Sequence, residues 1–273
     1  MAYCEMPPIS NYPLYIYRVI MKWLSFLVFG LATLLLVLLV FPPMTLFLHP
    51  RECFLKYARM VVSFCFSGFV AMMHAIGIVT LDAGDREVWR HISSKILVAN
   101  HPSLLDVVML ISLIPNADCI VNNSLRYNIV RSVITRLYIL NSLNFEELTS
   151  ACIESLNRGN VIIIFPEGTR TPRGGEIRLK RGAARISLLS GRNILPVHIG
   201  GTDKWGLGKR DPWAAFNHRD RYVYRIRMLD EIPPGRYAGL GLPRAVRHLT
   251  QEILEALTDA DMEVAAGIPV NSQ

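Results

Sequence analysis

The amino-acid sequence predicts an α/β domain whose mixed, largely parallel sheet is flanked by helices, preceded by an N-terminal two-helix membrane element. Two observations lead to this prediction. After residue 80, short aliphatic runs alternate with helical stretches, as expected when largely parallel strands are buried on both faces of a sheet. Before residue 80, two long apolar stretches occur in a chain of 273 residues whose net charge is +7.

The N-terminal region is typical of a membrane anchor. Residues 23–48 contain no charged side chain, and in residues 60–79 the only side chain that could carry a positive or negative charge near neutral pH is His74. The first stretch is long enough to cross a hydrocarbon core of about 30 Å. Basic residues flank it at both ends, so the positive-inside rule gives no single orientation. We favour a hairpin that returns to the same face of the bilayer.

Three other interpretations of the two apolar stretches differ in how the stretches would be buried. One span followed by an interfacial helix, and two buried helices of a soluble domain, stay open as alternatives. A cleavable signal peptide is disfavoured, because many residues precede the apolar stretch and no small-residue cleavage site follows it. The domain organisation predicted from this reading is a membrane-anchoring segment at 1–75, a folded domain at 76–260 and a loose tail at 261–273.

Charge and cysteine usage indicate where the chain works. The sequence pI is about 9.3, and basic residues near a membrane attract anionic lipid headgroups. Five cysteines are scattered with no C-x-x-C pair, which disfavours a disulfide framework or a zinc site. We therefore expect the folded domain on the cytoplasmic side of a membrane. A nucleic-acid partner is disfavoured, since it would leave the apolar N-terminus unexplained.

The elements of the folded domain follow from the aliphatic runs and the helical patterns between them. Strands are predicted at residues 76–83, 95–100, 118–123, 161–167, 194–199 and 222–229. Helices are predicted at residues 103–114, 127–139, 145–158, 181–190 and 243–258.

A first polar motif, NHPSLLD at residues 100–106, comes directly after the strand predicted at 95–100. A histidine and an aspartate at this spacing are by themselves weak evidence of chemistry, because the pair arises often by chance. Their position is stronger evidence, since ligand sites in open α/β sheets lie beyond the carboxyl ends of strands. Asn100 and Ser103 are expected to shape the turn.

A second motif, FPEGTR at residues 165–170, ends another predicted strand and could face the same crevice. Pro166 ends the strand and Gly168 permits a tight turn. The amides of Gly168 and Thr169 could then bind an anion, with Arg170 supplying a bidentate fork. Lys180, in the basic stretch that follows, is also expected to contact a phosphate-bearing ligand.

These residues resemble a known family. NHPSLLD fits the N-H-x-x-x-x-D signature of the glycerolipid acyltransferases, and FPEGTR fits their second signature. A weaker third block, ILPVHIG at 194–200, resembles the family's I-x-P-V strand. The resemblance covers about residues 78–235 and includes the 1-acylglycerol-3-phosphate acyltransferases. An N-terminal two-helix membrane element also matches the family.

The resemblance implies an enzyme that moves a fatty acyl group from an acyl thioester, acyl-CoA or acyl-carrier protein, to a lysophospholipid hydroxyl. It implies that Glu167, Gly168, Thr169 and Arg170 position the acceptor, although Glu167 could instead orient neighbouring backbone. 1-Acylglycerol-3-phosphate is the favoured acceptor. The partners are then the two substrates and the bilayer, and no cofactor or metal is expected.

One departure from the family concerns the acceptor. Between its two signatures the family usually has a block ending in an arginine that helps to hold the acceptor phosphate. The corresponding stretch here, residues 137–148, has Asn141 and Asn144 and no arginine. A different hydroxyl acceptor, in specialised lipid or acylated-pigment synthesis, therefore stays open as an alternative.

The residues present also suit this chemistry. His101 can take the proton of the attacking hydroxyl, and Asp106 can fix its tautomer by accepting from one ring nitrogen. No G-x-S-x-G elbow or nearby cysteine is present, which favours direct transfer without an acyl-enzyme. If His101 lies at a helix N-terminus, nearby amides could stabilise the oxyanion.

Three further polar residues are not assigned to the site. Asp118, His198 and Asp203 are assigned to the fold or the surface, and no carboxylate–histidine cluster has metal spacing. Two further classes stay as alternatives. A lipid hydrolase would put water in place of the alcohol, and a lipid-binding module would not need His101 and Asp106.

Overall fold

The structure is a computed structural model that describes most of the chain. The described residues are 8–121, 139–140, 144–172, 175, 177–212, 214–216 and 221–265. The α-helices in these ranges are α1 (Tyr12–Leu35), α2 (Phe41–Phe47), α3 (Arg51–Ala75), α4 (Arg86–Arg90), α5 (Asp106–Leu113), α6 (Phe145–Asn157), α7 (Gly182–Ser190) and α8 (Leu242–Ala265). The strands are β1 (Val79–Asp82), β2 (Ile96–Ala99), β3 (Ala117–Val121), β4 (Ile139–Leu140), β5 (Val161–Ile164), β6 (Ile194–Gly201) and β7 (Tyr222–Met228).

The strands form one sheet in the order β1-β7-β6-β2-β5-β3-β4. Every neighbouring pair is parallel except β6 and β7, which run antiparallel. The predicted mixed, largely parallel sheet flanked by helices is therefore confirmed. The six predicted strands are all present, and β4 adds a two-residue strand at the edge beyond β3.

Strand β2 lies at the centre of the sheet, and its four residues are all buried. Because side chains alternate between the faces of a strand, its residues divide between two cores. Leu97 and Ala99 join the core that contains buried side chains of α3 and α5. Ile96 and Val98 join the core built with α6, α7 and α8. The sheet is thus covered by helices on both faces.

Several predicted helix boundaries were wrong. The helix predicted at 103–114 begins only at Asp106, because residues 102–105 form the turn that carries the first motif. Most of the helix predicted at 127–139 lies outside the described residues, and Ile139 belongs to β4. Helix α8 continues to Ala265, seven residues past its predicted end at 258 and into the predicted tail.

The N-terminal helices fit the predicted membrane element. A π-helical turn at Leu36–Val40 joins α1 to α2, so that Tyr12–Phe47 is one continuous helical segment. This segment and α3 (Arg51–Ala75) are both long and apolar enough to cross a membrane. They differ in burial: 17% of the apolar window of the first is buried, against 39% in the second. Helix α3 packs through Phe54, Val62 and Val70 into the core that it shares with α5. Most of the exposed apolar surface therefore belongs to α1 and its continuation.

Polar contacts tie the N-terminal helices to the folded domain. On α3, Arg59 makes a buried bidentate pair with Asp118 of β3, with N···O distances of 2.5 and 3.1 Å. Ser155 donates a further hydrogen bond to Asp118. On α1, Lys22 Nζ donates to the carbonyl of Ala215 over 2.7 Å. Asp118 is therefore a residue of the fold, as predicted.

Candidate active site

The two motifs lie side by side at one edge of the sheet. Strands β2 and β5 are parallel neighbours, so the residues that follow them emerge at the same edge. His101 and Glu167 both line a cavity of about 420 Å³ at this edge. The expectation that both motifs face one crevice is confirmed.

His101 and Asp106 form a hydrogen-bonded pair. Nδ1 of His101 lies 2.8 Å from Oδ2 of Asp106. The Asp106 side chain is fully buried, whereas 17% of the His101 side chain is exposed. Because the carboxylate can only accept, the ring proton resides on Nδ1 when the imidazole is neutral, and Nε2 is then the basic nitrogen.

Ser103 fixes the carboxylate of Asp106. The Ser103 amide donates to Oδ2 over 2.7 Å, and the Ser103 hydroxyl donates to Oδ1 over 2.5 Å. Asn100 shapes the start of the same turn: its side-chain amide exchanges two hydrogen bonds with the backbone of Ile199 on β6. Both residues therefore build the turn that presents His101, which is the structural role that the sequence suggested.

The second motif braces the backbone of the first. Oε1 of Glu167 accepts from the His101 amide over 2.9 Å, and the Thr171 amide donates to the His101 carbonyl over 3.2 Å. The ring of Phe165 lies 4.3 Å from the His101 ring, centroid to centroid, at an interplanar angle of 31°. Both backbone groups and the ring of His101 are thus held by residues of one segment.

One carboxylate oxygen of Glu167 makes no hydrogen bond to the described residues. Its side chain is buried, and Oε2 has no hydrogen-bond partner among the described residues. Burial raises the pKa of this carboxyl above its ordinary value, although the hydrogen bond from the His101 amide works in the opposite direction. The structure therefore shows the backbone-orienting contact that was one predicted alternative for Glu167, together with an oxygen that has no hydrogen-bond partner among the described residues.

The remaining residues of the second motif form a compact turn. Gly168 has φ +71°, a backbone conformation that favours glycine, and a Cβ built on it would lie 2.5 Å from the flexible end of Lys180 at Nζ. Arg170 donates through Nη1 to the carbonyls of Leu207 and Gly208, over 2.9 and 3.3 Å. Gly168, Thr169, Arg170 and Lys180 lie outside the described lining of the cavity.

The amides next to His101 do not form the expected oxyanion site. The Ser103 amide is bonded to Asp106, the Leu104 amide to the Leu207 carbonyl, and the Leu105 amide to the Ser103 hydroxyl. Helix α5 begins only at Asp106. The condition for that expectation is therefore not met, since the helix starts after His101 and these three amides already have partners in the turn or at Leu207.

Some residues of the site could not be recognised from the sequence. Tyr224 of β7 contacts the hydroxyl of Ser103, and Lys204 and Asp261 line the cavity. Asp203 also lines it, so its assignment to the fold or the surface was incomplete. No local pattern marks these positions, because they come from β7, α8 and the segment after β6. His198 is buried and belongs to the fold, as predicted.

Among the described residues, no group of three or more histidine, cysteine, aspartate or glutamate side chains could hold a metal ion. The site's polar groups are instead arranged around one imidazole, and they suit proton transfer at that ring.

The part of the chain that contains this site is similar to a known protein family. Residues 80–200 match the family model described as Acyltransferase, and this segment contains both motifs. Residues 80–200 are thus similar to this family over a little under half of the chain. The resemblance inferred from the two motifs is thereby confirmed.

Relatives of this chain include several 1-acyl-sn-glycerol-3-phosphate acyltransferases. The chain is 27% identical over 123 residues to the enzyme of Pseudomonas aeruginosa, covering 45% of this chain and 44% of the relative. It is 27% identical over 115 residues to the chloroplast enzyme of Arabidopsis thaliana, covering 40% of this chain and 32% of the relative. The chain thus spans less than half the length of these two relatives.

The fold of this chain is also found in a solved structure. The 1-acyl-sn-glycerophosphate (LPA) acyltransferase PlsC from Thermotoga maritima superposes with a TM-score of 0.56 at 20% identity, covering 91% of this chain and 96% of that chain.

Proposed function

We propose that the protein is a membrane-bound O-acyltransferase that transfers a fatty acyl group from an acyl thioester to the hydroxyl of a lysophospholipid, with 1-acylglycerol-3-phosphate as the favoured acceptor. The observation that carries the proposal is the His101–Asp106 pair, 2.8 Å apart and open to a cavity on the folded domain. The donor is acyl-CoA or acyl-carrier protein. The names of the relatives support this reaction class.

The proposed reaction is a direct transfer. Nε2 of His101 takes the proton of the acceptor hydroxyl as its oxygen bonds to the thioester carbonyl carbon. The tetrahedral intermediate then collapses, the carbon–sulfur bond breaks, and the proton passes from His101 to the departing sulfur. Asp106 stabilises the imidazolium that exists between these two steps. A positioned base of this kind contributes about 10²–10⁴ to the rate.

The exposed surface of α1 and its continuation supports membrane attachment. Large apolar side chains, including Leu31, Leu39 and Phe47, are 53%, 66% and 78% exposed. A bilayer would cover this surface. Lys22 is bonded to the folded domain and Trp23 follows it, which supports a bilayer boundary near Trp23. The acceptor and the acyl chain could then reach the site by lateral diffusion.

A cytoplasmic position of the folded domain remains part of the proposal. Four cysteines in the described residues, Cys53, Cys65, Cys119 and Cys152, are free thiols, as suits a reducing compartment.

A second acceptor class is favoured by one observation. Asn144, in the stretch where the family usually has a phosphate-binding arginine, serves as the N-cap of α6: its Oδ1 accepts from the Glu147 amide over 2.8 Å. Asn141 lies outside the described residues. A hydroxyl lipid whose recognition does not need that arginine, in specialised lipid or acylated-pigment synthesis, is therefore the alternative acceptor.

The proposal is tested by acyl transfer with the full chain in phospholipid vesicles. One labelled acyl-CoA and one acyl-carrier-protein thioester are offered with a panel of acceptors that includes lysophosphatidic acid, other lysophospholipids and a neutral hydroxyl lipid. Product from lysophosphatidic acid, absent in His101→Ala, is the expected result. Product only from another hydroxyl lipid would replace the acceptor and keep the mechanism.

Two controls separate the other classes of function. Release of free fatty acid without any acylated acceptor would identify a hydrolase. Lipid binding without turnover, equal in wild type and His101→Ala, would identify a binding module. Arg170→Ala tests the acceptor site: a higher KM for a phosphate-bearing acceptor, with no change for a neutral one, is expected if Arg170 binds phosphate.

A further inference from the structure

We propose that Tyr224, on strand β7, is a positioning residue for the His101 base, acting through Ser103 and Asp106. The inference deepens the proposed function and rests on it. Tyr224 lies 121 positions from Ser103 in sequence, and neither motif includes it. It is a buried titratable group for which the transfer reaction has no direct use.

The contacts form one continuous chain. The Tyr224 hydroxyl lies 2.7 Å from Oγ of Ser103, and Oγ of Ser103 lies 2.5 Å from Oδ1 of Asp106. The other carboxylate oxygen, Oδ2, accepts from His101. Tyr224, Ser103 and Asp106 are all buried, so water does not compete for these hydrogen bonds.

The direction of each hydrogen bond follows from the donors and acceptors present. An ionised Asp106 can only accept, so the single proton of the Ser103 hydroxyl points to Oδ1. The two lone pairs of Oγ are then left as acceptors, and the Leu105 amide donates to one of them. Tyr224 must therefore donate to the other, which holds the serine proton on the carboxylate.

The surroundings keep Tyr224 a fixed donor. Burial, and next the nearby charge of Asp106, raise the pKa of Tyr224 well above its ordinary value, so the phenol stays protonated. Nζ of Lys204 lies 4.9 Å from the centroid of the Tyr224 ring and donates to the carbonyls of Gly200 and Thr202. This cation–π contact restrains the ring.

Loss of the tyrosine hydroxyl would free Ser103 to rotate and would weaken one of the contacts that orient Asp106. The Nδ1–Asp106 contact, and with it the direction of Nε2, would become less well defined. The effect should fall on the chemical step, because Tyr224 is not among the residues that line the described cavity.

The test compares Tyr224→Phe, Ser103→Ala, the double variant and Tyr222→Phe in the vesicle transfer assay. Tyr222 is the matched control: it lies on the same strand, is equally buried, and donates its hydroxyl to the backbone carbonyl of Trp205. We expect Tyr224→Phe to lower kcat about tenfold with KM unchanged, the factor that corresponds to one net hydrogen bond. Tyr222→Phe should stay within about twofold of wild type.

The double variant tests the route through Ser103. If Tyr224 acts only through Ser103, adding Tyr224→Phe to Ser103→Ala should lower kcat by no more than about twofold further. Equal kcat in Tyr224→Phe and Tyr222→Phe, or losses that multiply in the double variant, would overturn the inference while leaving the proposed function intact. A wild type without transfer to any acceptor would overturn both.

Discussion

Two histidine–aspartate contacts occur among the described residues, and they differ in the features that proton transfer needs. His101 and Asp106 are five residues apart, whereas His198 and Asp261 are 63 residues apart and meet over 2.6 Å between Nε2 and Oδ1. In the first pair the aspartate is fully buried and the histidine is 17% exposed. In the second pair the histidine is 1% exposed and the aspartate 50%.

If His101 is the proposed base, the comparison indicates that a short distance between the two side chains is not sufficient for that role. A base needs a fixed carboxylate behind the ring and an accessible nitrogen in front of it. His101 has both, since Ser103 and His101 itself occupy the oxygens of Asp106. His198 has its ring enclosed, and a Cβ built on Gly200 would lie 2.8 Å from its Cε1. We therefore regard the second pair as a bond between β6 and α8.

The largest expected effect separates the two histidines. His101→Ala should lower kcat/KM by about 10³-fold or more, because the base is removed. His198→Gln should change kcat/KM by less than about fivefold but lower the free energy of unfolding by about 1–2 kcal/mol, the cost of disturbing a buried hydrogen bond. Initial rates in vesicles and chemical denaturation measure the two quantities. A larger activity loss in a well-folded His198→Gln would mean that the second pair takes part in the reaction.

The next effect separates the two aspartates. In Asp106→Asn, a side-chain amide would replace the carboxylate that accepts one hydrogen bond from His101 and two from Ser103. The NH₂ group of the new amide would then face at least one of these donors. We expect kcat to fall by about 10²–10⁴. Asp261→Asn, at a half-exposed carboxylate, should lower kcat by less than about threefold. Similar losses in both variants would contradict the distinction between the pairs.

The smallest effect concerns the buried carboxyl that braces His101. The pKa of Glu167 is raised above its ordinary value of 4.5, so between 4.5 and the raised pKa the folded state binds more protons than the unfolded state. The contribution of Glu167 to stability therefore falls as pH rises through this window. In Glu167→Gln this contribution is absent, and the free energy of unfolding should fall less steeply with pH than in wild type.

Denaturant titrations at several pH values above 4.5 measure this difference in slope. Glu167→Asp serves as the matched variant, since it keeps a titratable carboxyl but shortens the reach to the His101 amide. Identical slopes in wild type and Glu167→Gln would show that Glu167 does not bind a proton within the folded site.

The sequence predicted the parts of the fold that are determined by local composition. Strands such as β2 and β5 are uninterrupted runs of aliphatic residues, because both faces of a central strand are buried. The contact within the first motif could also be predicted from the sequence, since His101 and Asp106 lie in one turn, five residues apart. The strand that each motif follows placed both motifs at the same edge of the sheet.

What the sequence did not predict depends on residues distant in the chain. Tyr224 reaches Ser103 only because β7 returns antiparallel beside β6, and the pattern of β7 gives no sign of that direction. The late start of α5 at Asp106 follows from the bonds that Ser103 and Leu105 make within the turn. The difference in burial between α1 and α3 depends on packing against α5, which two similarly apolar stretches do not reveal.

Helix α8 has a practical consequence for handling the C-terminus. Asp261 lies past the domain end predicted at residue 260, yet its side chain is part of the cavity wall and the partner of His198. A truncation at residue 260 would remove that wall and leave a buried imidazole unpaired. A purification tag or fusion partner joined directly after residue 260 would begin beside the cavity, so a spacer should begin beyond Ala265, where the described helix ends.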